Sequence, residues 1–458
     1  RLRTVLDKSW ENHAWRQESC INLIPSEMTP SPLVRLTQVA DPVGRYAEHK
    51  DLAAAYDQEI FYYQGCDFIA WAEEQLAGEM ARFLGCPLVE CRPVSGQMAN
   101  MTVFSGLVQW RNRANLKREP GRISLAFTNH IGKGGHLSAQ PMGALRDYIA
   151  KDPVTEKFSV VNFPVLPDNP YQIDLKTLEG LLDQYDPELI VFGKSMVLHK
   201  EPVAQVRAML EARRKRPVIM YDMAHVLGLI GPHFQEPFAE GADVVTGSTH
   251  KTFFGTQRGV IGCRFDQENT PEHELWQAVR KRSFPGMVSN HHLGTLLGLL
   301  VASIEMNAFK DRYQPRVIAN AKAFARALKA CGLDVQGDPG IDYTETHQVV
   351  VKVGYARGPE VAQTLEENQI ICNYQALPED EGFTASSGLR LGVSEMTRFG
   401  MQEKDFEALA QLMADCILKN QDVTEAVTRL RKDFQELGYC FGEDQVQPFK
   451  ERFLQTLR

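Results

Sequence analysis

The sequence predicts an α/β protein, with a large domain built on a parallel sheet and a smaller C-terminal α+β domain. Between residues 123 and 265, short apolar runs alternate with helical patterns, which is typical of strand–helix units on a parallel sheet. Later, the strand-like runs 348–353 and 388–392 stand among helical patterns and indicate the second domain. We expect three regions: an N-terminal arm (1–45), the large domain (46–290) and the small domain (291–458).

The composition excludes several classes of protein. The chain has 458 residues, of which 43% are hydrophobic and 24% charged, with a formal net charge of −8; these values are those of an ordinary globular protein. Charges of both signs are interspersed, so no nucleic-acid or membrane partner is predicted, and no apolar run is expected to span a bilayer. The nine cysteines form no CxxC pair, which predicts no metal site and favours reduced thiols in a cytoplasmic protein.

The N-terminal arm is predicted to contain one amphipathic helix, from about Val5 to Glu18, before a proline-rich stretch. Two further helices are expected, one from Ile69 to Leu84 and one from Gln97 to Trp110. Ser95 and Gly96 stand at the start of the second of these. Free amides and the helix dipole make such a start a natural phosphate site, although Ser-Gly there is more often only a helix cap.

Three successive strands of the predicted parallel sheet lead to polar side chains. Run 189–192 leads to Ser195, run 217–221 to Asp222, and run 243–246 to His250 and Lys251. Because ligands bind outside the carboxyl ends of strands in open α/β sheets, we expect a hydroxyl, a carboxylate and an amine at one edge. A partly desolvated lysine in such a loop keeps the lowered pKa that a nucleophilic amine needs. A lone lysine on the surface would not indicate a nucleophile.

The remaining segments carry weaker signals. A glycine-rich loop, Gly132–His136, contains a histidine that a structural role explains equally well. Helical patterns at 294–308, at 317–330 and from Glu403 onward complete the predicted small domain.

Nine short motifs follow one another in a single order between about residues 21 and 410. They are Leu23–Glu27, Tyr46–Glu48, Tyr62–Cys66, Ser95-Gly96 with Ala99-Asn100, Gly134–Leu137, Asp222–Val226, Ser248–Thr252, Phe284–Gly286 and Ser387–Gly392. Together they resemble the serine hydroxymethyltransferase family. These are pyridoxal-phosphate enzymes with the aspartate-aminotransferase-like fold, called fold type I, so the resemblance implies this fold and pyridoxal 5'-phosphate as cofactor.

The resemblance also implies a set of cofactor-binding residues. Lys251 would hold pyridoxal phosphate covalently, Asp222 would pair with its ring nitrogen, and His136 would stack on the ring. His225 and Ser195 would support the ring oxygen. The phosphate would be bound by Ser95, Gly96 and Gln97, together with Gly286 from a second subunit.

On the substrate side, the resemblance implies that Arg390 binds the carboxylate of an amino acid through two parallel hydrogen bonds. Glu48 would take the proton of the β-hydroxyl and Tyr63 would assist the departing aldehyde, both from a partner subunit. His250 would keep the site ordered, and Ser26 and Tyr46 complete the set. The implied assembly is a homodimer or a dimer of dimers, and the other implied partners are small molecules: an amino acid and an aldehyde or one-carbon unit.

Several positions depart from the family pattern. Fourteen residues separate Glu48 from Tyr63, about twice the usual gap, and Gln257 stands where an arginine is expected. The loop after Ser195 continues Met-Val-Leu-His-Lys instead of an aromatic-Pro-Arg type. The stretch 372–378 departs from the folate-side pattern but keeps an asparagine, so a need for tetrahydrofolate stays open.

Some of these departures are similar to threonine transaldolases, notably Gln257, the segment Thr346–Gln348 and the stretch 388–398, although those enzymes lack the Tyr-Ala-Glu and Tyr-Tyr pairs. α-Methylserine hydroxymethyltransferases and aldolases are a third related class. The leading hypothesis is cleavage or formation of the Cα–Cβ bond of a serine-like amino acid, including an α-substituted one. Threonine transaldolase is the alternative, aminotransferase is a distant one, and a non-enzyme would be expected to lose Lys251 or Asp222.

Overall fold

The structure is a computed structural model that describes residues 1–51, 59–115, 117 and 119–455. Its helices are α1 Leu2–Ala14, α2 Pro32–Thr37, α3 Asp67–Leu84, α4 Gly96–Arg111, α5 Leu175–Gln184, α6 Val203–Ala212, α7 Pro271–Lys281, α8 Leu293–Ala330, α9 Gly358–Glu367, α10 Ser394–Arg398, α11 Glu403–Lys419, α12 Thr424–Lys432 and α13 Glu443–Gln455. Its strands are β1 Ile21–Asn22, β2 His49–Asp51, β3 Glu59–Phe61, β4 Leu88–Glu90, β5 Ala126–Thr128, β6 Val160–Asn162, β7 Leu189–Phe192, β8 Val218–Asp222, β9 Val244–Ser248, β10 Gly259–Cys263, β11 Asp334–Val335, β12 Gln348–Lys352, β13 Ile370–Ile371, β14 Asn373–Gln375 and β15 Gly388–Gly392.

A seven-stranded sheet forms the centre of the large domain, in the order β4-β10-β9-β8-β7-β5-β6. Strands β9, β8, β7, β5 and β6 run parallel, whereas β10 is antiparallel to both of its neighbours. The predicted α/β class with a mostly parallel sheet is therefore confirmed. Parallel strands leave all their carboxyl ends at one edge, which is the edge where the predicted polar residues lie.

Strand β7 shows why a continuous apolar run predicted a buried strand. Leu189 and Val191 pack in a cluster with residues of α4 and α7 on one face of the sheet. Ile190 and Phe192 pack in a second cluster with residues of α3, α6 and α8 on the other face. All four residues are buried because helices cover both faces, so the strand needs apolar side chains at every position rather than at alternate ones.

A second sheet, called here the small sheet, contains four antiparallel strands in the order β11-β12-β15-β14. Its two central strands correspond to the predicted runs 348–353 and 388–392. In their register Val350 lies opposite Arg390, so the predicted carboxylate-binding arginine rises from the middle of the small sheet.

The N-terminal arm joins the C-terminal part of the chain. Strand β1 pairs in parallel with β13, and the carbonyl of Leu23 accepts a hydrogen bond from the amide of Gly392 at 2.7 Å. The helix expected from about Val5 to Glu18 occurs as α1, which ends at Ala14 and is followed by a π-helical turn, Trp15–Ser19. The boundaries of the three expected regions stay predictions.

Helix α8 differs from the sequence expectation, which divided it into two helices. It continues through Pro315 for 38 residues, because its two halves pack against α3 and α11 and tertiary packing outweighs the local cost of a proline. By length and composition alone this helix could cross a membrane, contrary to the expectation of no such run. Of the most apolar stretch of this helix, however, 61% is buried inside the protein, and a mostly buried core helix can have the same length and composition.

Candidate active site

Three neighbouring parallel strands bring the predicted polar residues to one edge of the large sheet. Asp222 is the last residue of β8, Ser195 follows the end of β7, and Lys251 follows the end of β9. Because β7 pairs with β8 and β8 pairs with β9, the three loops are adjacent in space.

Lys251 lies in a pocket that favours its neutral form. Its Nζ atom is 3.2 Å from Nε2 of His225. Burial lowers the pKa of Lys251 to about 8, with Asp222 opposing this shift and Arg390 adding to it. Burial, followed by the positive charge of Lys251, also lowers the pKa of His225 well below its usual value. A neutral His225 ring can therefore accept a hydrogen bond from the amine.

Asp222 is buried yet kept ionised by its neighbours. Its Oδ2 atom accepts a hydrogen bond from Asn100 Nδ2 at 2.8 Å and lies 2.5 Å from Nδ1 of His136. Its Oδ1 atom accepts from the amide of Ala224 at 3.1 Å. Burial alone would raise the pKa of Asp222, but His136, Asn100 and the Ala224 amide more than offset it, so the pKa lies below its usual value.

Asn100 is a site residue that the sequence analysis noted only as part of a motif. It is fully buried in α4, and its Oδ1 atom accepts a hydrogen bond from the Thr246 hydroxyl at 2.6 Å. Its Nδ2 atom donates to Ser138 as well as to Asp222. Asn100 therefore fixes the direction of the Asp222 carboxylate. The local sequence gives no signal for this, because its partners lie far away in the chain.

His136 lies beside Asp222 and His225. Its ring meets the His225 ring edge-on, with centroids 5.2 Å apart and planes at 82°. The amide of His136 donates to the carbonyl of Gly193 at 3.0 Å, which ties the glycine-rich loop to the end of β7. The expected stacking of His136 on a cofactor ring stays a prediction.

The predicted phosphate site lies at the start of α4. Ser95 caps this helix, its hydroxyl accepting from the amide of Met98 at 3.1 Å. Gly96 and Gln97 are the first two helical residues, so their amides have no acceptor inside the helix. A Cβ atom on Gly96 would lie 2.3 Å from the Ser248 hydroxyl. Ser248 therefore belongs to this corner, which its place in the motif Ser248–Thr252 did not predict.

Arg390 approaches the site from the small sheet. Its Nη1 donates to the carbonyl of Ser195 at 2.8 Å, and its Nε donates to Asn373 Oδ1 at 3.3 Å. Burial lowers the pKa of Arg390 to about 10, which leaves it charged at neutral pH. Asn373 comes from the stretch 372–378, so the expected folate-side segment contacts the arginine directly.

His250 and Ser26 line one cavity of about 740 Å³, together with Glu27, Arg35 and Gln257. Burial, and then the charge of Lys251, lower the pKa of His250 to about 4, so its ring is neutral. Gln257 is exposed at the wall of this cavity, where the family pattern places an arginine.

Four predicted site residues take part in a group of contacts that is separate from the contacts of Lys251: Tyr46, Glu48, Tyr63 and Gly286. Tyr46 and Tyr63 are 51% and 45% exposed and contact each other, with ring centroids 5.0 Å apart. Glu48 stands at the start of the β2–β3 hairpin, its carbonyl accepting from the amide of Tyr62 at 3.0 Å. Gly286 is exposed in the turn Arg282–Met287.

The hairpin and this turn share one surface, since the ring of His49 packs against Phe284 with centroids 4.8 Å apart. Residues 52–58, in the lengthened segment between Glu48 and Tyr63, lie outside the described residues. Within the described ranges, no group of three or more His, Cys, Asp or Glu side chains is arranged to hold a metal ion.

Comparison with known proteins gives one consistent family. A model of the serine hydroxymethyltransferase family matches residues 4–413. Relatives named serine hydroxymethyltransferase include that of Pyrobaculum aerophilum, 36% identical over 97% of this chain and 95% of the relative. That of Thermococcus onnurineus is 36% identical over 98% of this chain and 99% of the relative.

A solved structure is similar over the same length. It is an L-threonine transaldolase from Pseudomonas fluorescens in its internal aldimine state, with a TM-score of 0.80 and 26% identity over 98% of this chain and 97% of that chain. The predicted resemblance and the predicted fold are both confirmed by these matches. The family model and the relatives each cover nearly the whole chain, which therefore belongs to the serine hydroxymethyltransferase family and is a pyridoxal-phosphate-dependent enzyme.

Proposed function

We propose that this enzyme breaks or forms the Cα–Cβ bond of a serine-like β-hydroxy-α-amino acid and moves a hydroxymethyl group. The observation that carries the proposal is the meeting of a buried amine, a buried carboxylate and a buried guanidinium, on Lys251, Asp222 and Arg390. These groups suit an amino-acid substrate held on a pyridoxal-phosphate ring, and relatives that are 36% identical carry the name serine hydroxymethyltransferase.

The residues of the site fit this cofactor. The Nδ1 atoms of His225 and His250 are buried without a partner among the described residues. A buried polar atom without a partner costs about 1–3 kcal/mol, so the described residues around Lys251 leave hydrogen-bonding capacity unused. The free amides at Gly96 and Gln97 suit its phosphate. When bound, pyridoxal phosphate supplies an electron-withdrawing ring that stabilises negative charge left on Cα.

Around that ring, each side chain has a separate task. Asp222, kept ionised, holds a proton on the ring nitrogen. With a pKa of about 8, the Lys251 amine is neutral in roughly one molecule in ten at pH 7, against fewer than one in a thousand for an ordinary lysine. The neutral His225 accepts a hydrogen bond from this amine and so orients it.

Arg390 would bind the substrate carboxylate and thereby fix the orientation of the bonds at Cα. Its Nη2 atom has no partner among the described residues, so it is free for a carboxylate oxygen. Glu48 takes the β-hydroxyl proton as the Cα–Cβ bond breaks, and Tyr63 holds the aldehyde that leaves.

Glu48, Tyr63 and Gly286 lie on a surface away from Lys251 within one chain. We therefore include a homodimer, or a dimer of dimers, in the proposal, with these residues completing the site of the neighbouring copy. Exposed tyrosines are typical of protein–protein interfaces, which agrees with this assembly.

A second candidate function is aldehyde exchange on threonine. It is favoured by the similarity to the L-threonine transaldolase structure and by the segment Thr346–Gln348. In this reaction the enzyme would release acetaldehyde from threonine and add another aldehyde at the same carbon.

One experiment tests both candidates. The enzyme loaded with pyridoxal phosphate is incubated with serine, α-methylserine or threonine. Each is tested with and without tetrahydrofolate, with and without an acceptor aldehyde, and with and without an oxo acid. Release of formaldehyde from a serine-like substrate, or its transfer to tetrahydrofolate, supports the first candidate. A new β-hydroxy amino acid formed only from threonine and an aldehyde supports the second. Amino transfer to an oxo acid without Cα–Cβ cleavage would reject both.

A further inference from the structure

The loop that follows Ser195 is held by hydrogen bonds from the small sheet and the segment before it. We call residues 195–200 the bridging loop. The carbonyls of Val197 and Leu198 accept from the Thr346 hydroxyl at 2.5 Å and from the Glu345 amide at 2.8 Å. The amide of Lys200 donates to Glu345 Oε2 at 3.0 Å. The bridging loop therefore follows a strand of the large sheet but is hydrogen-bonded to the segment that leads into the small sheet.

Gln348 makes two of these contacts with one side-chain amide. It is fully buried at the start of β12. Its Oε1 accepts from the amide of Val197 at 3.0 Å, and its Nε2 donates to the carbonyl of Ser195 at 3.2 Å. Only a side chain with both a donor and an acceptor can bind an amide and a carbonyl of one loop in this way, so neither an aliphatic side chain nor a carboxylate can replace it.

The carbonyl of Ser195 is the point where this contact reaches the active site. It accepts from Gln348 Nε2 and also from Arg390 Nη1 at 2.8 Å. A carbonyl oxygen has two lone pairs, so these two donors use its full capacity. The amide of Ser195 donates in turn to the carbonyl of Gly134 at 2.8 Å, which fixes the peptide from its other side.

We infer that Gln348 is a positioning residue: it fixes the Ser195 carbonyl, and through that carbonyl it sets the angle of the Arg390 guanidinium for the substrate carboxylate. This inference rests on the proposed role of Arg390. The guanidinium is a planar fork, and two parallel hydrogen bonds to a carboxylate form only when the fork lies in the carboxylate plane. Without Gln348 the carbonyl turns, the fork tilts, and one of the two bonds weakens.

Two departures from the family pattern support this link. The bridging loop lacks the aromatic-Pro-Arg sequence, and Gln348 lies in the segment that is similar to threonine transaldolases. The structure joins these two departures by direct hydrogen bonds. The changed bridging loop and Gln348, which holds it, therefore act together in selecting substrates that carry an α-carboxylate.

The test compares binding of glycine with binding of methylamine, which is glycine without its carboxylate, to the enzyme loaded with pyridoxal phosphate. Gln348→Leu should weaken glycine binding roughly three- to ten-fold, the effect of losing a neutral hydrogen bond, and leave methylamine binding unchanged. In turnover, KM for the amino acid should rise with little change in kcat. Gln348→Glu keeps the contact to Val197 but cannot donate to Ser195, so it should change glycine binding in the same direction if the leucine variant does not fold.

Two further variants complete the test. Asn320→Leu removes a buried amide with two hydrogen bonds between α8 and the region of α10, and it should leave the ratio of glycine to methylamine affinity unchanged. Arg390→Lys should lower that ratio, and adding Gln348→Leu to it should have no further effect, because coupled residues are not additive.

The outcomes separate the two ideas. If Arg390→Lys leaves the ratio unchanged, the proposed carboxylate role of Arg390 is wrong. If Arg390→Lys lowers the ratio but Gln348→Leu and Gln348→Glu do not, or if their effects add to that of Arg390→Lys, the positioning role of Gln348 alone is overturned.

Discussion

Two regions of the candidate site are built in opposite ways. The cofactor-side cluster, which comprises Asn100, His136, Asp222, His225 and Lys251, is connected by short contacts within one chain. The hairpin surface, which comprises Tyr46, Glu48, Tyr63 and Gly286, presents two half-exposed tyrosines on the outside of the same chain. One copy therefore brings most of the proposed cofactor-binding groups together by itself, whereas the proposed handling of the aldehyde by Glu48 and Tyr63 would require a second copy.

The largest effect is expected from Lys251→Ala. Without the amine, pyridoxal phosphate can bind only non-covalently, and turnover should fall by about 10³-fold or more. Reduction with borohydride followed by peptide mapping should place the label of the wild-type enzyme on Lys251 and find none in the variant. Lys176→Ala, which removes an exposed lysine of α5, is the control and should keep both activity and label. A label on any other lysine would contradict the assignment.

Glu48→Gln should slow the cleavage of β-hydroxy amino acids but not the exchange of a Cα proton. The substitution keeps size and polarity but removes the base, so turnover of β-hydroxy amino acids should fall by roughly 10²-fold. Exchange of the Cα proton of glycine needs no hydroxyl base and should survive. Glu74→Gln, on an exposed position of α3, is the control. Equal loss of exchange and cleavage would remove the assigned role and favour an aminotransferase.

Mixed dimers test whether the two regions come from different copies. Lys251→Ala and Tyr63→Phe should each be inactive alone. In a hybrid, one site would combine an intact Lys251 from one copy with an intact Tyr63 from the other. Random mixing of equal amounts should therefore restore about a quarter of the wild-type activity. No recovery after demonstrated exchange of subunits would show that the site is built within one chain.

The sequence predicted which residues of the cofactor-side cluster lie at one edge of the sheet, but it did not predict the hydrogen bonds that hold them. Continuous β-branched runs and the order of the loops were enough to bring Asp222 and Lys251 to one edge, since a parallel sheet aligns its strand ends. Asn100 and Gln348 were not assigned roles, because their importance comes from partners more than 100 residues away in the chain. The prediction of two helices in place of α8 was wrong, because local propensity treats Pro315 as a helix breaker, whereas tertiary packing keeps the helix continuous.

The smallest effect concerns the protonation of Lys251 in the enzyme freed of its cofactor. Its pKa is lowered from 10.5 to about 8, so the amine is protonated and unreactive below this pH and neutral above it. The rate at which a carbonyl reagent attaches to Lys251 should rise roughly ten-fold between pH 7 and pH 9 and then level off. The reactivity of an ordinary exposed lysine, by contrast, keeps rising up to about pH 10.5.

The two charged neighbours of Lys251 decide the direction of further change. Asp222 raises the pKa of the amine and Arg390 lowers it, both against the larger effect of burial. Asp222→Asn should therefore move the midpoint of the pH profile below 8, and Arg390→Gln should move it above 8. Glu74→Gln, at an exposed position of α3, should leave the midpoint unchanged, because Glu74 is not among the groups that shift the pKa of Lys251. A midpoint that stays at about 8 in both Asp222→Asn and Arg390→Gln would show that these two charges do not set the protonation of the amine, and the proposed cofactor-side cluster would then be wrong.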